Sequence, residues 1–577
     1  MRTEITDNNK IKMISLPNPL LETIEADSYD TIVISTNFDP NEKYVNQNLD
    51  SLRLENSIKI LKVAFRILKQ GGLLFVYGLP KVLPHLGVFL DSLENQNSKL
   101  VFKYWIALDI DARSPHETFP PTHMGLLMYL KSRKGKTTSP FHLNTKTVRI
   151  PYQSCRVCGR NTKDWGGKKH LLNPLGAAVS DVWRDLPKTS LQTNIIPDFV
   201  LNRIYELVEK SSLSFLHIIE PQNLMLKDQI SLSQTNFVGD SYDLQLPVDK
   251  VILADAIEYM KTITSEYPHG IVDLAFADPP YNLEKDYGDY NDLLPDQKYL
   301  KWCEAWLDLM CRILRPGGTL MLLNLPKWCI HYADFLNNTP DMVFRHWIVW
   351  DALSEPAGKI MPAHYALLYY TKRGGSIVFN SPSPADSDAL GPIDAHYYCL
   401  RKSCIKRRKA AGDDDKINLT DVWWDIHRIK HKKDRDQHPC QLPIKLMERI
   451  VKLTTNPGDI VFDPFCGAGT TAIVAKMFRR HYITTDVDEQ YVEIAKQNLK
   501  MLQPTSNGYI LPRKSKSRKF SSSTPRRKIE IKYMNLCRKE KRILSISEVM
   551  ARDAVLGGLI KTYPDFNYLK KITRRRL

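Results

Sequence analysis

The chain has 577 residues, and its 81 Lys plus Arg outnumber 64 Asp plus Glu, for a formal charge of +17. With 43% hydrophobic and 25% charged residues it has globular proportions, which excludes wholesale disorder. The absence of any run of about 18 apolar residues argues against a transmembrane span, and the first residues lack the apolar stretch of a secretory signal, so no membrane partner is expected.

In chain order, short apolar strands alternate with helical patterns. KVILAD ends at Asp255, VDLAFA covers 272–277, and residues 299–315 carry helical spacing that Pro316-Gly317-Gly318 ends. TLMLLNL (319–325) and HYALLYYTK (364–372) read as strands, 444–454 as a helix, 460–465 as a strand and 471–478 as a helix, and HYITTDVD as a strand reaching Asp486. Such alternation predicts a doubly wound, mostly parallel α/β sheet. From residue 504 to 527 the chain is rich in Ser, Pro, Lys and Arg and reads as a basic linker; residues 528–577 read as a small, basic, mainly helical extension, either a clamp on DNA or a tail packed on the core.

The chain also repeats itself. Arg66–Gly72 matches Arg312–Gly318, and Leu79-Pro80-Lys81 matches Leu325-Pro326-Lys327, both at an offset of 246. Trp105 matches Trp347, Pro121 and His123 match Pro362 and His364, and Asp181-Val182-Trp183 matches Asp421-Val422-Trp423. Ordered matches with slowly drifting offsets are the mark of two homologous halves.

Two clusters carry chemistry. The strand 272–277 runs into Asp278-Pro279-Pro280-Tyr281-Asn282, at the carboxyl end where doubly wound sheets place ligands. The prolines stiffen the loop and remove donors, leaving a carboxylate and carbonyls to accept from an exocyclic amine, while Tyr281 offers a stacking face. The second cluster, Asp463-Pro464-Phe465-Cys466-Gly467-Ala468-Gly469-Thr470-Thr471, lies between a strand and a helix. Gly467 and Gly469 permit close approach of a ligand to the helix N-terminus, and Asp486, at the end of the next strand, is placed for ribose hydroxyls.

On these motifs residues 246–503 resemble the beta group of DNA amino-methyltransferases, which methylate N6 of adenine or N4 of cytosine. Asp278–Tyr281 resembles the catalytic motif, Phe465–Gly469 the S-adenosylmethionine motif, and His438-Pro439-Cys440-Gln441-Leu442-Pro443 the stretch that leads into it. Asp255 stands where the family has an acidic residue near the cofactor's adenine. The resemblance implies a Rossmann-like seven-stranded sheet, S-adenosylmethionine as donor, double-stranded DNA as partner, a flipped target base and a recognition insert at 373–437. It favours adenine N6, with cytosine N4 and a non-catalytic DNA-binding subunit as alternatives, and it suggests a separate restriction endonuclease as a companion.

The repeat sets Ser35-Thr36-Asn37-Phe38 opposite Asp278–Tyr281, and after the strand Phe215–Ile219 no glycine motif follows. Two tandem methyltransferase domains are therefore expected: 1–245 degenerate, inactive and shaping a DNA channel, and 246–503 catalytic, together an intramolecular pseudo-dimer. In the insert, Arg401, Lys402, Lys406, Arg407, Arg408 and Lys409, then Arg428, Lys430, Lys432, Lys433 and Arg435, suit phosphate contacts, while Trp423 reads as core. Ten cysteines are few for this length, which fits a reducing cytoplasm. Cys155 and Cys158 form a CxxCG knuckle, and with Cys399 and Cys404 they would make one structural zinc site, within a half or across the halves.

Overall fold

The computed structural model describes the chain outside residues 1–10, 16–19, 37–50, 111–118, 120, 136–140, 163–171, 189–194, 209–213, 221–246, 283–285, 288–289, 292–293, 353–358, 381–392, 396, 413–414, 429–440, 507, 512–531, 534, 538, 541, 562–569 and 571–577. By contacts it divides into Met1–Ile510 and Leu511–Leu577. The larger unit holds two α/β sheets.

In the first sheet we number β1 Ile11–Ser15, β2 Tyr29–Ser35, β3 Leu68–Gly78, β4 Ser98–Asp109, β5 His123–Arg133, β6 Val182–Trp183 and β7 Phe215–Ile219. Their order is β1-β7-β2-β3-β5-β4-β6. The second sheet contains β8 Lys250–Leu253, β9 Val272–Ala277, β10 Leu314–Asn324, β11 Met342–Asp351, β12 His364–Lys372, β13 Val422–Trp423, β14 Ile460–Asp463 and β15 His481–Asp486. It runs β8-β15-β14-β9-β10-β12-β11-β13 and is parallel except where β12 pairs with β10 and β11. Seven strands were expected in each sheet; the second has eight, because the two-residue β13 extends its edge beside Val349 and Trp350.

The central strands form because both faces are covered. Leu274, Ala275, Phe276 and Ala277 of β9 are fully buried, as a parallel sheet requires. The helix before β10 spans Asp296–Ile313 and presents Tyr299, Cys303, Trp306, Met310 and Ile313 as a buried stripe at helical spacing. It ends two residues earlier than its sequence pattern suggests, since Pro316 restricts the residue before it and the backbone turns at Gly317. Gly317 has φ +81, and a Cβ there would meet the Ser376 carbonyl at 2.3 Å, so no other residue fits.

Contacts recur at matching positions of the two halves. Asp30 accepts from Lys69 Nζ and Ser214 N, and Asp273 from Arg315 Nε and Ile460 N. Arg203 makes a two-pronged bond to Asp185 over the Trp183 ring; Arg449 does the same to Asp425 over Trp423. Trp423 is fully buried, the core residue expected.

Between the halves, Trp105 and Trp347 stack with centroids 3.8 Å apart. Asp421 accepts from Thr122 N (2.8 Å) and His123 Nδ1 (2.9 Å), while Asp181 accepts from Ala363 N (2.7 Å) and His364 N (3.0 Å). His85 pairs with Asp334 and His331 with Asp91. Each half thus offers the other an acid and a histidine.

The hairpin Gln503–Thr505 and Gly508–Ile510 belongs to the larger unit, so the chain leaves it after Ile510 rather than at 504. In the smaller unit, helices Ile546–Arg552 and Ala554–Lys561 bury Tyr533, Cys537, Leu544, Val549, Leu556 and Ile560, and Ser545 with Glu548 forms a capping box. Among the described residues no helix is long and apolar enough to cross a membrane.

Candidate active site

Neighbouring strands β9 and β14 run parallel, with Leu274 opposite Val461 and Ala275 opposite Phe462. From β9 the chain winds to β10 on one side; from β14 it winds to β15 on the other. A crevice therefore opens at their carboxyl ends, where an open α/β sheet takes its ligand. The two sequence clusters both lie there. One cleft, about 1140 Å³ with its open mouth, is lined by Asp255, Asp278–Tyr281, Asp463–Ala468, Thr470, Thr471 and Asp486.

The 278–282 loop is held at two carbonyls and at the Asp278 carboxylate. Tyr281 Oη donates to Asp278 Oδ1 at 2.7 Å, Tyr299 Oη to the Pro280 carbonyl at 2.6 Å and Trp328 Nε1 to the Tyr281 carbonyl at 2.9 Å. Among the described residues the Pro279 carbonyl accepts no hydrogen bond. Asn282 has φ +54, a region Asn tolerates, and its amide clasps Leu294 in both directions. Tyr281 is 5% exposed, so the stacking face expected of it is largely covered and its hydroxyl orients Asp278 instead.

At the glycine turn, Gly467 (φ +49) and Gly469 (φ +80) take left-handed conformations. A Cβ on Gly469 would lie 2.6 Å from that of Ala495. Gly469 precedes the helix Thr470–Met477. Asp463 accepts from Phe465 N (3.0 Å) and Thr471 Oγ1 (2.5 Å), and burial raises its pKa to about 7. Asp486 accepts from Gly467 N (2.8 Å) and Asp488 N (3.0 Å), so it braces the turn; burial raises its pKa too. Asp255 commits Oδ1 to capping the helix Ala256–Glu266 through the N–H groups of Ile257 and Glu258. His438 lies outside the described residues, as do Lys430, Lys432, Lys433 and Arg435; Gln441 and Leu442, from the same run as His438, line the cleft.

Sequence reasoning missed Trp302, Val487, Asp488 and Tyr491, which also line the cleft. Val487 is 60% exposed there, an apolar face awaiting a partner. Asp488 had a legible signal, an N-cap before a helical run, but Trp302 is one aromatic among several on its helix. The cleft lining contains five aspartates and, among the described residues, no Lys, Arg or His. A cleft of that sign in a chain of net charge +17 selects a cation. This suits S-adenosylmethionine, which brings a sulfonium and an ammonium, and Phe465, Trp302 and Val487 supply apolar surface in the same cleft.

Elsewhere, Cys155, Cys158, Cys399 and Cys404 come together across the halves, with all four sulfurs within 4.8 Å of one another. On the helix Lys402–Ala411, Lys402, Lys406, Arg407 and Lys409 are exposed. Arg408 is fully buried and stacks on Tyr398 at 4.3 Å, which corrects its expected role in phosphate contact. Arg401 is half-buried and donates to the Asn161 carbonyl, and Arg428 reaches Tyr365 Oη.

Residues 272–497 match the model of a DNA methylase family. The chain is 32% identical over 283 residues to the Type II methyltransferase M.BamHI of Bacillus amyloliquefaciens, covering 48% of this chain and 62% of that protein's length. It is 33% identical over 253 residues to the Type II methyltransferase M.HpaI of Haemophilus parainfluenzae, covering 43% and 74%. A solved M1.HpyAVI–SAM complex aligns with 43% of this chain and 98% of its own at 23% identity and a TM-score of 0.30. The chain belongs to the N6/N4 DNA methylases, a family whose methyl donor is S-adenosylmethionine.

Proposed function

We propose that the cleft transfers a methyl group from S-adenosylmethionine to the exocyclic amine of a base flipped out of double-stranded DNA, N6 of adenine in preference to N4 of cytosine. The observation that carries this reading is the shared cleft: an amine-accepting loop and a glycine turn at the ends of adjacent strands, in an acidic lining. Asp278, Pro279, Pro280 and Tyr281 form the catalytic loop. Asp255, Asp463, Pro464, Phe465, Gly467, Gly469, Thr470, Thr471 and Asp486 form the donor side, and His438 is assigned to it by its sequence motif alone. The adenine preference rests on the Asp at the head of the motif.

The bound donor supplies an electrophilic methyl group. The chain's part is to make a poor nucleophile attack. An aromatic amine delocalises its lone pair into the ring; one N–H given to Asp278 and the other to the Pro279 carbonyl draw the nitrogen toward tetrahedral geometry and free that pair. Tyr281 holds the carboxylate in place for this, and Tyr299 and Trp328 hold the loop. The proton the amine loses passes to Asp278 or to water.

We infer that residues 1–245 are a degenerate copy of 246–503. The shared order of six strands (β7-β2-β3-β5-β4-β6 against β14-β9-β10-β12-β11-β13), the recurring Asp–Arg–Trp contacts and the exchanged acid–histidine pairs support this. The ladders place Ser35 where the second half has Asp278 and His217 where it has Asp463. Ser35 Oγ and His217 Nε2 lie 2.9 Å apart, and burial lowers the His217 pKa to about 4, so a neutral pair fills the place of two carboxylates. The first half then shapes the DNA channel, and the exposed basic helix Lys402–Ala411 contacts phosphates. The Type II names of the relatives point to a modification enzyme accompanied by a separate restriction endonuclease.

The test is expression in a host lacking DNA methylation, followed by mass spectrometry of the nucleosides and long-read sequencing. N6-methyladenine in one sequence context supports the reading; N4-methylcytosine moves it to the runner-up, and unmodified DNA refutes it.

A further inference from the structure

We propose that Cys155, Cys158, Cys399 and Cys404 bind one structural zinc ion that fastens the basic helix Lys402–Ala411 to a knuckle of the first half. The two pairs are remote in sequence, and neither contributes to the methyl-transfer cleft.

Local structure aims the first pair. Cys155 N donates to the Arg160 carbonyl (2.7 Å) and Gly159 N to the Cys155 carbonyl (2.9 Å), while Ser154 and Asn161 bridge across the turn. Gly159, at φ +65, lets the chain turn back directly after Cys158. The second pair brackets a helix start: Cys399 precedes it, and Cys404 sits in the first turn, its N–H bonded to the Arg401 carbonyl.

The spacing is that of a shared ligand. Cys155 and Cys404 sulfurs are 3.7 Å apart, and those of Cys158 and Cys399 3.6 Å. Four sulfurs at about 2.3 Å from a tetrahedral zinc lie about 3.8 Å from one another. A disulfide requires about 2.05 Å, and two separate disulfides would not need all four sulfurs gathered within 4.8 Å. Cys155, Cys399 and Cys404 are buried; among the described residues their apolar cluster adds Ala395 and Tyr398 as buried members, with Val157, Tyr397 and Ile417 packed against it. A core that small is ordinarily stapled.

The charges also agree. Zinc with four thiolates carries two net negative charges. Arg156 lies over Tyr397 (3.9 Å) and the buried Arg408 over Tyr398 (4.3 Å), with Arg408 Nη1 3.5 Å from the Cys399 carbonyl. Arg407 also bonds the Val157 carbonyl inside the knuckle. The positive charge of Arg156, Arg407 and Arg408 beside the cysteines suits that negative charge. On binding, the four thiols release their protons to water and no electrons move. The metal would set the direction of the exposed Lys402, Lys406 and Lys409; only that consequence rests on the DNA-binding reading above.

The test is metal analysis of the full-length protein purified under reducing conditions without chelator. Near-stoichiometric zinc, released by a thiol-binding mercurial, is expected. The Cys155→Ser and Cys404→Ser variants should lose the metal, with S-adenosylmethionine binding by calorimetry showing that the cleft still folds. Cobalt loaded into the parent protein should give the charge-transfer and ligand-field bands of a tetrahedral tetrathiolate, a readout that needs no variant to fold. Trace metal with four freely reactive thiols, loss of those thiols as disulfides, or an octahedral cobalt spectrum would each overturn the proposal.

Discussion

Replacing Asp278 by Asn tests the amine-holding loop with the smallest possible change. The amide is isosteric and its oxygen still accepts the 2.7 Å bond from Tyr281, so the loop keeps its shape. What changes is the group facing the base: an acceptor with a full charge becomes a neutral amide that also carries N–H donors. A charge-assisted hydrogen bond of about 1.5–3 kcal/mol is lost, and an N–H turned toward an amine N–H leaves a donor unpaired at a further cost of about 1–3 kcal/mol. Because the bond strengthens as the amine becomes tetrahedral, most of this loss falls on the transition state. The sum, about 2.5–6 kcal/mol, corresponds to a rate lower by roughly 10²–10⁴-fold at 1.36 kcal/mol per decade. Single-turnover methyl transfer to saturating DNA measures the rate, and calorimetry measures donor affinity, which should stay within a factor of about three. A variant that turns over within tenfold of the parent refutes the role of the carboxylate. One that loses donor affinity in step with rate shows Asp278 serving the donor rather than the base.

Asp278→Ala should abolish turnover entirely by the same assay, since Ser35 stands at the equivalent place in the first half; residual methylation would refute a silent first half. Asp463 holds its proton up to about pH 7 when folded, against 3.8 ordinarily, so folding takes up a proton in that window and the stability it lends fades as pH climbs through it. A cationic donor favours the carboxylate, so calorimetric affinity for S-adenosylmethionine should rise between pH 5.5 and about 7.5 and then level, and a flat profile would contradict this. Gly469→Ala combines a left-handed φ with a Cβ 2.6 Å from Ala495, so about 2–5 kcal/mol of stability should be lost and donor affinity should fall with it; an unchanged Tm refutes the strain. Trp105→Ala removes a fully stacked partner of Trp347 and should cost about 3–5 kcal/mol in urea unfolding, with a loss under 1 kcal/mol counting against the inter-half stack.

Much of this site was legible because its chemistry lies in local runs. Asp278–Tyr281 and Asp463–Thr471 each follow a short apolar strand, and parallel-sheet topology then brings their ends together without any long-range information. Features set by burial or by the face of a helix were not legible. Arg408 stands in a run of basic residues that reads as one solvated surface, yet helical spacing turns it inward onto Tyr398. Trp302 differs from Trp306 only in the direction it faces. The eighth strand of the second sheet is two residues long, too short for any period to mark it. Asp486 reads as a ribose ligand from its place at a strand end, but both its oxygens also accept backbone N–H groups, which pattern alone does not reveal.

The proposed loss of the first site has a physical logic in what was kept. Asp181 and Asp421 each satisfy backbone N–H groups of the opposite half, so losing either would leave buried donors unpaired across the interface. These positions stay constrained as long as the halves stay together, whether or not each half catalyses. A carboxylate at the head of a catalytic loop has no such tie once the loop is idle, and burying it with no cation to face is costly. The Ser35–His217 pair removes that cost: Ser35 Oγ accepts from Ile196 N at 3.0 Å and is hydrogen-bonded to the uncharged imidazole at 2.9 Å. Restoring an acid at position 35 alone would set a charge among groups arranged for neutral partners. Return to activity would therefore need coordinated changes at 35 and 217 as well as a new glycine turn, rather than a single substitution.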